Sequence, residues 1–322
     1  MIEVVGLGAM NMDLVYQVER ILTDGEAPVE RYTPFPGGSA ANTIYGLAKL
    51  GVRTGLVGAV GNDEEGRLLL EDLKAVAVDT EKIKVKGDSR TGTAFCLADR
   101  RGRRAIYISP GANSLLTRQD IDLGYINQAK ILHLSSFIND KQFDIQKELV
   151  SSLAPSLKLS FTPGAIYASK GIDGLAPLLK RTHILFANQN EIRQLTGEEF
   201  RGGARQCLKQ GCHIVAITLG KGVTYLKSRA KIASCYITSE DKEFFIEAER
   251  MDKKLIADTI GAGDAFAAGF LWGVLQGKEL EECGYLGDIM ARFSITRAGA
   301  RAGLPSLPEL RQCYEEVYNR PL

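Results

Sequence analysis

Apolar positions along this chain recur with two periods, and the two alternate. Short apolar runs at 53–60, 131–134, 183–186, 214–219 and 224–226 read as buried strands. Residues 39–50, 64–77, 143–153, 191–195, 203–210, 280–298 and 308–318 carry the three-to-four spacing of helices. Alternation of this kind predicts an α/β fold: a three-layer α/β/α sandwich around a mostly parallel central sheet, with residues 1–322 as one domain. Two stretches, 12–36 and 91–110, break the rhythm. They are rich in strand formers without an intervening helix, and 93–98 with 104–108 reads as a hairpin. They are expected to form a small second sheet that projects from the main body.

Composition changes this picture little. Apolar residues make up 45% and charged residues 25%, which is ordinary for a globular chain. A net charge of +1 gives no reason to expect a nucleic-acid or membrane partner. The basic run 100–104 straddles Gly102 and reads as a solvent-facing hairpin tip. The longest apolar run, 265–275, is interrupted by Gly269 and Gly273 and is too short to span a bilayer. The chain enters a strand pattern at once, so no secretory leader is expected. Six cysteines lie scattered without a CxxC pair, which points to reduced thiols and a cytoplasmic location.

The chemistry concentrates at 258–264, Asp-Thr-Ile-Gly-Ala-Gly-Asp, directly before the apolar run. A helix opening here presents first-turn N–H groups without partners and the positive end of its dipole. Gly261, Ala262 and Gly263 have almost no side chain to keep an anion from those amides. Asp264 puts a carboxylate beside them. Such a pocket suits phosphoryl transfer, with Asp264 taking the proton of an attacking hydroxyl. Glycines before an apolar helix also make plain turns, and Asp is a good helix-start residue in itself.

A second glycine turn, Pro36-Gly37-Gly38-Ser39-Ala40-Ala41-Asn42, opens another helix. Gly37 and Gly38 permit close approach of a small polar ligand, and the Asn42 amide can bridge two hydroxyls. Asp13, in Asn11-Met12-Asp13, can accept from two vicinal hydroxyls. Gly6 and Gly8 nearly make a dinucleotide fingerprint, but Asn11 replaces the third glycine. No GxxxxGK[ST] loop occurs.

These motifs, in this order over nearly the full length, resemble the ribokinase-like (phosphofructokinase-B type) carbohydrate kinases. The resemblance implies ATP-dependent phosphorylation of a hydroxymethyl group on a sugar. It makes Asp264 the general base and the amides of 260–263 an anion hole. It makes the small second sheet a lid, beneath which Asn11, Asp13, Gly37, Gly38 and Asn42 would hold the acceptor. Asn188 and Glu191 would lie near the triphosphate and its Mg²⁺, Glu191 acting through water; helix capping explains the same four residues, 188–191. Thr218, Gly220, Lys221 and Gly222, with Gly263, would contact the nucleotide, although Lys221 equally suits a solvent-facing turn. Asp258, Ile260, Ser294, Arg297 and Gly299 would ligate a monovalent cation such as K⁺. A homodimer through the lid is also implied. The acceptor stays open. Ser135 and Ser39 stand where ribokinases carry Glu and Lys, while Thr91-Gly92-Thr93, Arg104 and Gly111-Ala112-Asn113 resemble bacterial-type adenosine kinases. In a nucleoside kinase Phe35, Phe95 or Tyr107 would stack on the base.

Overall fold

The computed structural model describes residues 1–100, 103–226, 231–247 and 253–322. Its strands, in chain order, are β1 (Val4–Leu7), β2 (Asn11–Val18), β3 (Arg31–Gly37), β4 (Thr54–Gly61), β5 (Ile83–Lys86), β6 (Gly92–Asp99) and β7 (Arg104–Ser109). They continue with β8 (Ile131–Ser135), β9 (Lys158–Thr162), β10 (Thr182–Asn188), β11 (Ile214–Leu226), β12 (Lys231–Ser239) and β13 (Glu243–Glu247). The helices are α1 (Ser39–Lys49), α2 (Glu64–Ala75), α3 (Leu123–Asn127), α4 (Asp140–Ser151), α5 (Gly164–Ala168) and α6 (Gly171–Leu179). After them come α7 (Gln189–Thr196), α8 (Phe200–Lys209), α9 (Ala262–Leu275), α10 (Leu280–Ser294) and α11 (Leu307–Tyr318).

The main sheet runs β13-β12-β11-β10-β9-β8-β1-β4-β5. Every neighbouring pair from β5 to β11 is parallel, and β12 and β13 close one edge antiparallel. Successive residues of β1 serve different cores. Val4 packs with Ile44, Leu47, Phe270 and Met290 on one face. Val5 packs with Leu132, Leu149, Leu159 and Leu185 on the other. Burial on both faces is what makes parallel strands read as continuous apolar runs. The chain fills the sheet outward from β1 in both directions, so strand order reverses there. Open α/β sheets bind ligands beyond the carboxyl ends of the strands at such a point.

The lid is a four-stranded sheet, β3-β2-β6-β7, with β2 and β6 parallel and the outer pairs antiparallel. It uses both stretches that broke the helix–strand rhythm. Residues 101 and 102, at the expected hairpin tip, lie outside the described residues.

Two boundaries differ from the sequence reading. The runs 214–219 and 224–226 belong to one strand, β11, whose register against β12 shifts between Thr218 and Val223. Gly220 and Gly222 take φ of 59° and 88° within the shift, so the strand bulges where a turn was expected. Helix α10 stops at Ser294 and not 298, since the Ser294 hydroxyl donates to Ala291 O (2.8 Å) and the chain turns.

Candidate active site

Helix α9 begins as its sequence requires. Its N-cap, Gly261, is left-handed with φ 76°, and a Cβ there would sit 2.4 Å from that of Ala300. Asp264 lies in the first turn. Two of the four amides expected to face an anion are otherwise engaged. Ile260 N–H donates to Asp258 Oδ1 at 3.1 Å and Ala262 N–H to Thr259 O at 3.5 Å, which leaves the amides of Gly261 and Gly263.

Asp264 is held by α1. Ser39 Oγ donates to Oδ1 at 2.6 Å, and Asn42 Nδ2 donates to Oδ2 at 2.9 Å. Burial pushes this carboxyl up to about 6, against the opposing pull of the two hydrogen bonds and of Arg301. Asn42 is in turn held by Arg301, whose Nε donates to Asn42 Oδ1 at 2.9 Å. Arg301 Nη2 donates to Gly37 O at 3.0 Å, and Nη1 pairs with Asp72 of α2. Its guanidinium also lies over the Tyr45 ring, 5.3 Å from the centroid. Sequence reasoning missed Arg301 and gave Ser39 no role.

Asp264 and Gly261 border a cavity of about 230 Å³ that Asn11, Asp13, Gly38, Ser39, Asn42, Asn113 and Ser136 also line. Gly38 caps α1 with φ 95°, and a Cβ there would meet Ala9 O at 2.3 Å. Gly37 leaves room for the Asp13 carboxyl, which a Cβ would meet at 2.3 Å. Burial raises Asp13 to about 7; Arg301 works against this, while Asp264 and Asp258 add to it. Asn113 pins the turn that carries Asn11, donating to Met10 O (2.9 Å) and Asn11 Oδ1 (3.0 Å) and accepting from Met10 N (2.9 Å).

The walls are apolar: Ala94, Cys96, Ile106 and Ile108 from the lid face Ile138 and Ile166 of the body. The aromatics that a nucleoside kinase would stack on the base lie elsewhere. Phe95 pairs with Tyr107 across β6 and β7 and alternates with the wall residues, so both point to the outer face, 39% and 65% exposed. Phe35 packs over Gly299 and lines a neighbouring cavity. Ser135 is absent from the wall. Its hydroxyl accepts from Ala40 N at 3.1 Å and serves the start of α1.

Asn188, which ends β10, is the register partner of Thr218, after which the β11 register against β12 shifts. Asn188 and Glu191 form a capping box. Asn188 Oδ1 accepts from the amides of Asn190 and Glu191, and Asn188 N donates to Glu191 Oε2, all at 2.9 Å. Burial and then Asp264 raise the Glu191 carboxyl, so it lies within electrostatic reach of the candidate base. Gly220 and Gly222 sit in the β11 bulge; the Lys221 side chain lies outside the described residues. Asp258 Oδ2 accepts from Gly299 N at 3.2 Å, beside buried Ser294 and exposed Arg297.

A doubly covered parallel sheet, a strand-built lid, and a carboxylate at a glycine-opened helix define a phosphotransferase of the ribokinase fold. The chain matches the pfkB family of carbohydrate kinases over residues 1–307 and belongs to it. It is similar to an uncharacterized sugar kinase of Archaeoglobus fulgidus, 38% identical over 263 residues, 81% of this chain and 98% of the relative. An ATP-dependent ribose-1-phosphate kinase of Halopiger xanaduensis is 29% identical over 94% of this chain and 95% of its own. The solved ribokinase of Arabidopsis thaliana complexed with ribose and ATP superposes with a TM-score of 0.81 at 25% identity, covering 97% of this chain and 98% of that one.

Proposed function

We propose that this carbohydrate kinase transfers the γ-phosphoryl of ATP to a hydroxymethyl group of an uncharged sugar or sugar-bearing acceptor. One observation carries the reading. The Asp264 carboxylate stands at the mouth of α9 and also borders the cavity that holds Asp13, Asn11 and Asn42. Asp264 takes the hydroxyl proton as the acceptor oxygen attacks phosphorus, and ADP leaves with the bonding pair. The amides of Gly261 and Gly263 stabilise charge on the transferring group. Asp13 and Asn11 orient the acceptor, with Gly38 giving it room and Gly37 making space for the Asp13 carboxyl. Apolar lid side chains exclude water that would otherwise hydrolyse ATP.

Among the described residues no Lys or Arg lines this cavity, and Arg301 already has Asn42, Gly37 and Asp72 as acceptors. Two carboxylates, Asp13 and Asp264, would also repel an anion. Among the described residues a phosphate or carboxylate on the acceptor therefore finds no cationic partner here. The apolar walls favour a second reading in the same chemistry, a nucleoside whose base slides between Ile106 and Ile166.

Mg²⁺, when bound, neutralises phosphate charge. Asn188 and Glu191 suit a water-linked site, since a buried carboxyl capped on one oxygen keeps the other for a metal-bound water. Thr218, Gly220, Lys221 and Gly222 are proposed to face the nucleotide. Asp258, Ile260, Ser294, Arg297 and Gly299 are proposed as a K⁺ site, which replacing K⁺ by choline in the assay tests. A homodimer through the outer lid face is proposed on the exposure of Tyr32, Phe95 and Tyr107. A cytoplasmic location is proposed on six cysteines, none of which forms a disulfide; among the described residues no helix is long and apolar enough to cross a membrane.

The test is ADP release with Mg·ATP over neutral pentoses, hexoses and nucleosides, with phosphosugars and sugar acids alongside. Turnover confined to neutral acceptors supports the reading. Preference for a phosphorylated or carboxylated sugar refutes the uncharged acceptor, and no turnover with any member refutes the assignment of the acceptor class.

A further inference from the structure

An Asn side chain has two nearly identical ends, and only one can serve a carboxylate. Asn42 must present its NH₂ to Asp264, because its oxygen there would set two acceptors against each other. Something has to fix that choice. Arg301 Nε donates to Asn42 Oδ1 at 2.9 Å, and Arg301 is 5% exposed. A guanidinium only donates, so the oxygen must face it and the NH₂ is turned to Asp264 Oδ2, 2.9 Å away. The arginine is itself fixed from three further directions. Gly37 O closes the end of β3, Asp72 pairs from α2, and the Tyr45 ring lies beneath the guanidinium.

We propose that Arg301 is a positioning residue for phosphoryl transfer, locking the Asn42 amide so that it aims the Asp264 carboxylate at the acceptor. The proposal rests on Asp264 being the base. Arg301 touches neither acceptor nor nucleotide in this scheme; its effect passes through Asn42. Because Nη2 holds Gly37 O, one side chain also fixes the base relative to the root of the lid. Its positive charge favours the ionised Asp264 as well. Among the described residues, the charge of that carboxyl in turn raises the Asp13 and Glu191 carboxyls.

The test is a double-mutant cycle in kcat with Arg301→Met, Asn42→Ala and the pair, with melting temperatures for each. Positioning partners of this kind change activity by about tenfold to a hundredfold. Arg301→Met is expected to lower kcat on that scale, with KM for ATP nearly unchanged and the acid limb of the kcat–pH profile moved to higher pH. The double variant is expected to be no slower than Asn42→Ala, since both act on one linkage. Arg301→Lys covers the case where the Met variant does not fold. It is expected to keep the acid limb and still lose kcat, because an ammonium cannot reproduce the planar fork. Additive losses in the cycle would overturn the proposal, as would wild-type kcat in either folded variant. Asp264→Asn separates the two levels: full turnover there removes the base itself, whereas loss there with an unaffected Arg301 variant removes only this inference.

Discussion

Replacing Asp264 by Asn should nearly abolish turnover without weakening the fold. The folded protein raises this carboxyl from 3.8 to about 6, chiefly by burial. At about 1.4 kcal/mol per unit, ionising it in place costs on the order of 3 kcal/mol. The sign follows from linkage. The native state binds this proton more tightly than the unfolded chain, so stability falls as pH rises from about 4 to about 6 and stays lower above that. An amide carries no such cost. It also fits. Asn42 can offer only NH₂, so the new side chain turns its oxygen to Asn42 and its NH₂ to Ser39 Oγ, whose lone pairs accept it. An NH₂ at that place cannot take a proton from the acceptor. Turnover should fall by about two to four orders of magnitude. Melting at pH 7.5 should stay level or rise by a few degrees at most, given the chain's size. Coupled ADP release and calorimetry on one preparation read both. Turnover within about tenfold of wild type would refute the base. A melting temperature several degrees lower would refute the burial argument and leave the lost activity explained by unfolding.

The two carboxyls predict a stepped acid limb. Asp264 must be ionised to act, so kcat should decline below about 6, while acceptor binding by ionised Asp13 should weaken below about 7. The steps belong to the interacting pair, and Asp13→Asn should leave one limb near or below the lower value; two unchanged limbs in that variant would sink the assignment. For the lid, wild type should run as a dimer in light scattering, and Tyr107→Asp should shift it toward monomer, because the ring is 65% exposed on the outer face. A wild-type monomer at micromolar concentration would dispose of that interface.

What could be read from the residues in advance depended on how many partners each one needs. Gly38 and Gly261 announce themselves, because a left-handed φ at a helix start is a property of one position. Helices α1 and α9 and the strands of the main sheet follow from runs of their own apolar residues. The lid was legible for the same reason, as strand formers without helices between them. Its faces were not. Whether Phe95 or Cys96 looks inward is a matter of register, and a shift of one residue exchanges them. That parity puts isoleucines on the cavity wall and turns Phe95 and Tyr107 away from it. The β11 bulge hides similarly, since glycines at 220 and 222 signal a turn as readily as a kink that keeps the ladder. Arg301 is the extreme case. Its meaning lies in Gly37, Asn42 and Asp72, separated from it by more than 200 positions, and nothing beside it in the sequence distinguishes it from exposed Arg297. The proposed base was visible because a helix start advertises it; the arginine proposed to aim it is visible only once α1, α2 and the end of β3 have met.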